Sequence, residues 1–155
     1  MADAPRIACL TRALRAVYRY LTVVVFVAVL VQIGAAGYGT FSADRHATSG
    51  ADLVTKKQFE HGFNFHDGFG YVIFFATVLL FLVAALARLP RKGVLLALAL
   101  PLLVVLQIVL ARVGEKTPAV GVLHPLNAFV IAGFTGLLAH RAWRGETRAA
   151  GRPAA

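Results

Sequence analysis

Cysteine is almost absent from this sequence, since Cys9 is the only one in 155 residues. A single thiol cannot form an internal disulfide or supply a cysteine-based metal site. The sequence also lacks a phosphate-binding loop, a paired-carboxylate constellation, and a set of residues arranged as nucleophile, base and orienting group. Hydrolytic and phosphoryl-transfer activities are therefore not indicated.

Charge is also scarce. Only 15% of the residues are charged and 59% are hydrophobic, with a mean hydropathy of +0.73, which is too apolar for a soluble domain of this length. A helix needs about 20 residues to cross about 30 Å of hydrocarbon, and in lipid it must satisfy its own backbone hydrogen bonds. Four uncharged stretches reach this length: 20–43, 68–87, 93–111 and 117–139. They predict an all-α fold, an integral membrane four-helix bundle.

These stretches define one transmembrane domain over residues 1–144, followed by a tail. The predicted helices cover about 17–41, 66–88, 93–112 and 120–140, and the segment 42–65 is predicted to be a long outer loop. The tail, residues 145–155, is rich in Ala, Gly, Arg and Pro without periodicity, and we expect it to be a disordered cytoplasmic segment.

The net charge of +9 is distributed unevenly along the chain. The two ends and the turn at 88–92 carry eleven cations against two acidic residues, whereas the two segments between the other helices carry five against five. The positive-inside rule therefore places both termini in the cytoplasm of a multi-pass protein of the plasma (inner) membrane. This sorting explains the basic pI better than nucleic-acid binding does.

The sequence contains a weak internal repeat. Gln32 and its following isoleucine match Gln107 and its following isoleucine, and the next helix in each case opens with a histidine, His66 or His124. The two halves therefore resemble one helical hairpin used twice. Because both hairpins start in the cytoplasm, the repeat is parallel, with its pseudo-twofold axis along the membrane normal.

This topology places His66 and His124 at the outer ends of their helices, facing each other. Two facing imidazoles are the arrangement that axial ligation of one haem iron requires. The residues one turn inward are small, Gly70 and Ala128, and would let a flat macrocycle lie against the helices. We therefore predict one b-type haem with His66 and His124 as iron ligands and Gly70 and Ala128 beside the ring.

Three other polar side chains belong to the predicted site. Gln32 and Gln107 lie at matched positions in apolar helices and could orient the second nitrogen of a histidine or bond each other across the axis. Arg112, at the outer end of the third predicted helix, could pair with a haem propionate.

Other interpretations of these residues remain open. The histidines could be interfacial and the glutamines could hold helices together in a cofactor-free structural or accessory protein. A small transporter is a further alternative, although no acidic residue lies deep in any helix. His61 could join Glu60 and Asp67 in a metal site at the outer surface. Four glycines are interpreted as close-packing positions: Gly34, Gly37, Gly133 and Gly136.

The pattern of a helix ending in Gln-Ile, an outer loop and a helix opening with histidine, repeated once, resembles one half of haem A synthase. It is also similar to an uncharacterised family of small four-helix bacterial membrane proteins whose last helix starts H-P-x-N, here His124 to Asn127. The resemblance implies haem held by a histidine pair and adds Asn127 to the candidate cofactor-binding residues. One half in place of two implies a single haem.

Together these features predict a small membrane protein for electron transfer or haem handling. Saturation of the iron by two imidazoles would favour electron transfer over oxygen activation. The expected partners are the lipid bilayer and a quinone or a redox protein, and not nucleic acid.

Overall fold

The structure, a computed structural model, describes residues 4–48 and 54–150. Within these residues it is all α-helical, with no strand. Its elements are α1 (Ala4–Thr48), α2 (Lys56–Leu86), α3 (Arg91–Gly114), the single turn α4 (Pro118–Gly121) and α5 (Leu123–Ala150). The predicted all-α fold with four long helices is confirmed.

All four long helices have the length and hydropathy needed to cross a membrane. Large apolar side chains cover their outer surfaces, among them Phe41, which is 75% exposed, and Phe75, which is 66% exposed. An apolar surface this extensive is unusual for a monomer in water. Length, composition and surface are therefore consistent with a multi-pass membrane protein.

The helices extend beyond the predicted bounds. α1 runs from Ala4 to Thr48, where hydropathy predicts 17–41, and α2 begins at Lys56, where hydropathy predicts 66. Most of the predicted outer loop 42–65 is therefore helical. Hydropathy marks the apolar part of a helix, whereas the helix itself ends only where its backbone is capped.

The start of α2 shows such a cap. The Thr55 hydroxyl accepts a hydrogen bond from the backbone N–H of Gln58, and the Gln58 side chain accepts one from the backbone N–H of Thr55. This reciprocal pair is a capping box. At the other end of the chain, α5 continues to Ala150, into the segment predicted to be disordered, and residues 151–155 lie outside the described residues.

The four long helices form a ring. α1 packs against α2 and α5, and α3 packs against the same two helices. The pairs α1 with α3 and α2 with α5 are therefore the diagonals of the bundle. A side chain on the inner face of α2 consequently faces α5 across the centre.

Buried residues recur at the same positions in the two hairpins. Seven and three residues before the matched glutamine, the buried residues are Val25 and Val29 in the first hairpin and Leu100 and Val104 in the second. After the histidines, at +7, +11 and +14, they are Ile73, Thr77 and Leu80 in the first hairpin and Ile131, Thr135 and Leu138 in the second. The buried threonine hydroxyls donate to carbonyl oxygens of their own helices. The inner surfaces of the two hairpins thus use equivalent residues.

Of the four glycines predicted as close-packing positions, Gly136 lies at a close helix contact, and the other three do not. A Cβ atom built on Gly34, Gly37 or Gly133 would meet nothing within 4 Å outside its own helix, so the prediction of close packing is wrong at these positions. At Gly136 a Cβ would come within 3.3 Å of the Phe26 ring.

The tightest approaches occur at the end of each hairpin where its two helices are connected. A Cβ on Gly39 would lie 2.8 Å from the Phe63 ring, and a Cβ on Gly114 would lie 2.7 Å from the Cα of Gly121. Gly39 and Gly114 each lie seven residues after the matched glutamine. Both hairpins are therefore closed by a glycine at the same distance beyond the predicted site.

Candidate functional site

His66 and His124 face each other across the bundle. Their ring centroids are 6.2 Å apart and the ring planes are inclined at 67°. His66 lies within α2 and His124 in the first turn of α5, on opposite corners of the ring of helices. The structure therefore brings together the two side chains that the sequence predicts as ligands.

Each imidazole is held by the same hydrogen bond. Nδ1 of His66 donates to the backbone carbonyl oxygen of Gln32 at 3.1 Å, and Nδ1 of His124 donates to that of Gln107 at 3.0 Å. A carbonyl oxygen can only accept, so Nδ1 carries the proton in both rings. In a neutral imidazole this leaves the Nε2 lone pair available for a metal, and such outer hydrogen bonds fix the tautomer of metal-binding histidines.

The glutamine side chains bond within their own hairpins and not across the axis. Nε2 of Gln32 donates to the backbone oxygen of His66 at 2.7 Å, so Gln32 and His66 are joined in both directions. In the second hairpin, Oε1 of Gln107 accepts from Nδ2 of Asn127 at 2.7 Å. The main-chain carbonyl of each glutamine, which the sequence did not single out, is the group that holds the histidine.

Asn127 supports Gln107 from outside the cavity. It is 8% exposed, it also donates to the backbone oxygen of Leu103 at 3.1 Å, and it is not among the residues that line the central cavity. Its position after the histidine is occupied by Phe69 in the first hairpin. Oε1 of Gln32 is consequently buried and has no hydrogen-bond partner among the described residues.

A cavity of about 150 Å³ lies beside the two histidines. On the inward side it is lined by apolar residues at equivalent positions, Val29, Val104, Ile73 and Ile131. Towards the end of the bundle away from the termini it is lined by four polar or charged residues, Asp67, Tyr71, Arg112 and Glu115. The space is therefore apolar at depth and charged at its mouth.

The two small residues of the predicted site also line this cavity. Gly70 and Ala128 stand at equivalent positions on α2 and α5. A Cβ on Gly70 would lie 3.2 Å from Nε2 of Gln32, so in this structure the missing side chain makes room for the Gln32 amide.

Arg112 lies at the mouth of the cavity and pairs with an acidic neighbour. Its Nη1 is 3.1 Å from Oε1 of Glu115, and the two side chains are 67% and 62% exposed. Arginine has five N–H donors, so this pairing leaves others that can bind an anionic group. The predicted propionate partner is thus placed at the cavity but is already engaged by a carboxylate.

The side chains of the alternative metal site, His61, Glu60 and Asp67, are not grouped in the structure. Glu60 pairs with Lys56 at 3.4 Å, and Asp67 lines the central cavity. Across residues 4–48 and 54–150, no three His, Cys, Asp or Glu side chains are grouped so that they could hold a metal ion.

Comparisons with known proteins give one match. Residues 58–115 match the model of DUF6220, a family of unknown function. The matched segment runs from the first turn of α2 to just beyond α3, so it contains His66 and Gln107 but not Gln32 or His124. No curated protein and no solved structure matches the chain significantly. The resemblance to haem A synthase therefore rests on the sequence pattern alone.

Proposed function

We propose that this chain is an integral membrane protein of two related helical hairpins that binds one b-type haem through His66 and His124, for electron transfer or haem handling. The observation that carries the proposal is the matched pair of imidazoles, each with Nδ1 on a glutamine carbonyl and each facing the other across the bundle.

The separation of the rings fits two axial ligands of one iron. An imidazole nitrogen binds a first-row metal at about 2 Å, and the ring centroid lies about 1.2 Å behind that nitrogen, so two rings whose Nε2 atoms point at one metal from opposite sides have centroids roughly 6.4 Å apart. The observed separation is 6.2 Å. The inclination of 67° between the ring planes is compatible with this, because two imidazoles that bind one metal need not be parallel.

The number of ligands favours haem over a bare metal ion. Two imidazoles do not complete the four ligands of a structural zinc site, and the described residues offer no cluster of three ligands. Haem iron brings four nitrogen ligands of its own and, with both axial positions filled, supplies one-electron chemistry.

The size of the cavity sets a condition on binding. The space beside the histidines, about 150 Å³, is smaller than the roughly 300–1,000 Å³ of pockets that enclose a drug-sized ligand. A macrocycle bound by the histidines would therefore need space beyond this cavity, and Arg112 at the charged mouth would be placed to bind its carboxylates. The Gln32 amide beside Gly70 would have to move, which would break the hydrogen bond from its Nε2 to the His66 oxygen but none at its Oε1.

The repeat and the membrane orientation belong to the same proposal. The recurrence of buried residues at equivalent positions in both hairpins supports a pseudo-twofold axis along the bundle. The concentration of eleven cations at the opposite end from the histidines supports cytoplasmic termini and a site near the outer face of the plasma membrane.

An absorption spectrum of the purified protein, reduced minus oxidised, tests the proposal. Protein from haem-replete cells is expected to show a Soret band at one haem per chain, and His66→Ala and His124→Ala are each expected to abolish it. His140→Ala is the matched control, because His140 is exposed at the opposite end of α5. A colourless wild-type protein would rule out the haem, and a band that survives both substitutions would rule out His66 and His124 as its ligands.

A cofactor-free accessory protein is the second candidate. The reciprocal hydrogen bonds between Gln32 and His66 join α1 to α2 without any ligand, as expected of residues that hold helices together. In that case the protein is colourless. The His66→Ala variant then unfolds at a lower temperature than wild-type protein, and the difference is the same with or without added haem.

A further inference from the structure

The end of the bundle opposite the paired histidines carries an unusual turn between α2 and α3. α2 ends at Leu86, and the following backbone N–H groups turn back onto it: that of Arg88 donates to the Ala85 oxygen at 3.1 Å and that of Leu89 to the Ala84 oxygen at 3.2 Å. These two bonds form a Schellman motif, which is followed by Pro90.

Arg88 occupies the position in this motif that favours glycine. Its φ angle is 50°, and among the described residues it is the one non-glycine residue with a positive φ. A side chain in this left-handed region costs energy that glycine avoids. An observed outlier of this kind is a reason to ask what the side chain does.

The side chain of Arg88 lines an open depression with two arginines from α1. Arg12 and Arg15 lie one turn apart and border the same depression, and Nε of Arg15 donates to the Ala87 oxygen at 3.3 Å, which fixes α1 against the turn. All three arginines are exposed, and no carboxylate of the described residues pairs with them. Three positive charges therefore line one depression, and no described carboxylate neutralises them.

The same depression has an apolar side. Ile7 and Ala8 lie there, Ile7 is 46% exposed, and Thr11 completes the lining of the depression. A ligand suited to this surface combines phosphate oxygens with hydrocarbon. Basic pockets between membrane helices on the cytoplasmic side are suited to anionic lipid head groups.

We propose that Arg12, Arg15 and Arg88 form a binding site for the phosphate head group of an anionic phospholipid of the inner leaflet. The site rests on the proposed membrane crossing and orientation but not on the haem, which would lie at the other end of the bundle. Arg88 occupies a backbone position that favours glycine because its guanidinium completes the site.

Arg88→Gly separates this role from a structural one. Glycine suits the left-handed position, so the cap of α2 should be retained or improved and the unfolding temperature in neutral detergent should not fall. Loss of one arginine near the head group is expected to weaken lipid binding about fivefold. Arg141→Gln, on the exposed cytoplasmic end of α5, is the control that removes one charge elsewhere.

The experiment measures thermal unfolding of the full chain in neutral detergent, with added cardiolipin, phosphatidylcholine or inorganic phosphate. We expect cardiolipin to stabilise wild-type protein and Arg141→Gln equally, and Arg88→Gly and Arg12→Gln clearly less, with no comparable effect of phosphatidylcholine or phosphate. Equal stabilisation of Arg88→Gly and wild-type protein would overturn the proposal, as would an equal effect of phosphatidylcholine. An equal effect of inorganic phosphate would replace the lipid by a free anion. Haem content is measured in the same samples, and it is expected to be the same in Arg88→Gly and wild-type protein.

Discussion

The side chains of Gln107 and Asn127 are joined by a hydrogen bond of 2.7 Å that has no counterpart in the other hairpin. Because Phe69 stands at the position equivalent to Asn127, Oε1 of Gln32 remains a buried acceptor without a partner among the described residues. The two histidines are thus held alike through backbone carbonyls, while the side chains behind them differ. The two halves of the site therefore differ in how their glutamine side chains are held.

Asn127→Leu is expected to destabilise the protein. It removes the donor to Gln107 and the bond to the Leu103 oxygen, and interhelical hydrogen bonds in membranes contribute about 0.6 to 2 kcal/mol. The measurement is the unfolding temperature in detergent, with Asn64→Leu as control, since Asn64 is an exposed asparagine on α2. If both variants unfold at the same temperature as wild-type protein, Asn127 does not support the site.

Gly114→Ala is expected to cost more stability than Gly39→Ala. The added Cβ at 114 would meet the backbone of Gly121 at 2.7 Å, and backbone cannot move aside, whereas the Cβ at 39 would meet the Phe63 ring, which can rotate. Overpacking of this kind costs about 1–3 kcal/mol.

The control for this pair is Gly133→Ala, where the new Cβ meets nothing within 4 Å. Alanine is the better helix former, so this variant should be neutral or more stable by up to about 1 kcal/mol. Thermal unfolding of the three variants checks the order, and a Gly114→Ala protein as stable as Gly133→Ala would contradict the close contact.

The sequence was sufficient to predict the four helices and the pairing of the key side chains. Uncharged stretches of about 20 residues indicate membrane helices, and the matched positions of His66 and His124 place both rings at one depth. The same match predicts that the two rings face each other, and they do so in the structure.

Other features depend on the path of the backbone, which hydropathy does not record. The role of the Gln32 and Gln107 carbonyls follows from where α1 and α3 pass the histidines, and the position of the close glycine contacts follows from how each hairpin closes. The recurrence of Thr77 and Thr135 was a readable signal that would have strengthened the repeat, because both follow their histidine by eleven residues.

Gly70→Leu is expected to reduce haem content without unfolding the protein. The leucine side chain would enter the cavity beside the histidines and compete with both the Gln32 amide and any ligand. Haem per chain, from the ratio of the Soret to the protein absorbance, should fall several-fold. Val72→Leu, which adds volume on the exposed face of α2, should keep full haem content, and an unchanged ratio in Gly70→Leu would place the haem elsewhere.

The orientation of the bundle can be tested with the single cysteine. Cys9 is exposed on α1, close to Arg6 and Arg12 and therefore at the end that the positive-inside rule assigns to the cytoplasm. A maleimide that cannot cross membranes should label Cys9 in inside-out vesicles and not in intact cells with the outer membrane permeabilised. The double variant Cys9→Ser, Lys116→Cys places the thiol in the exposed segment between α3 and α4, and it should show the reverse pattern. Labelling of Cys9 from outside would invert the bundle, which would move the paired histidines to the cytoplasmic face and the arginines of the α2–α3 turn away from the inner leaflet.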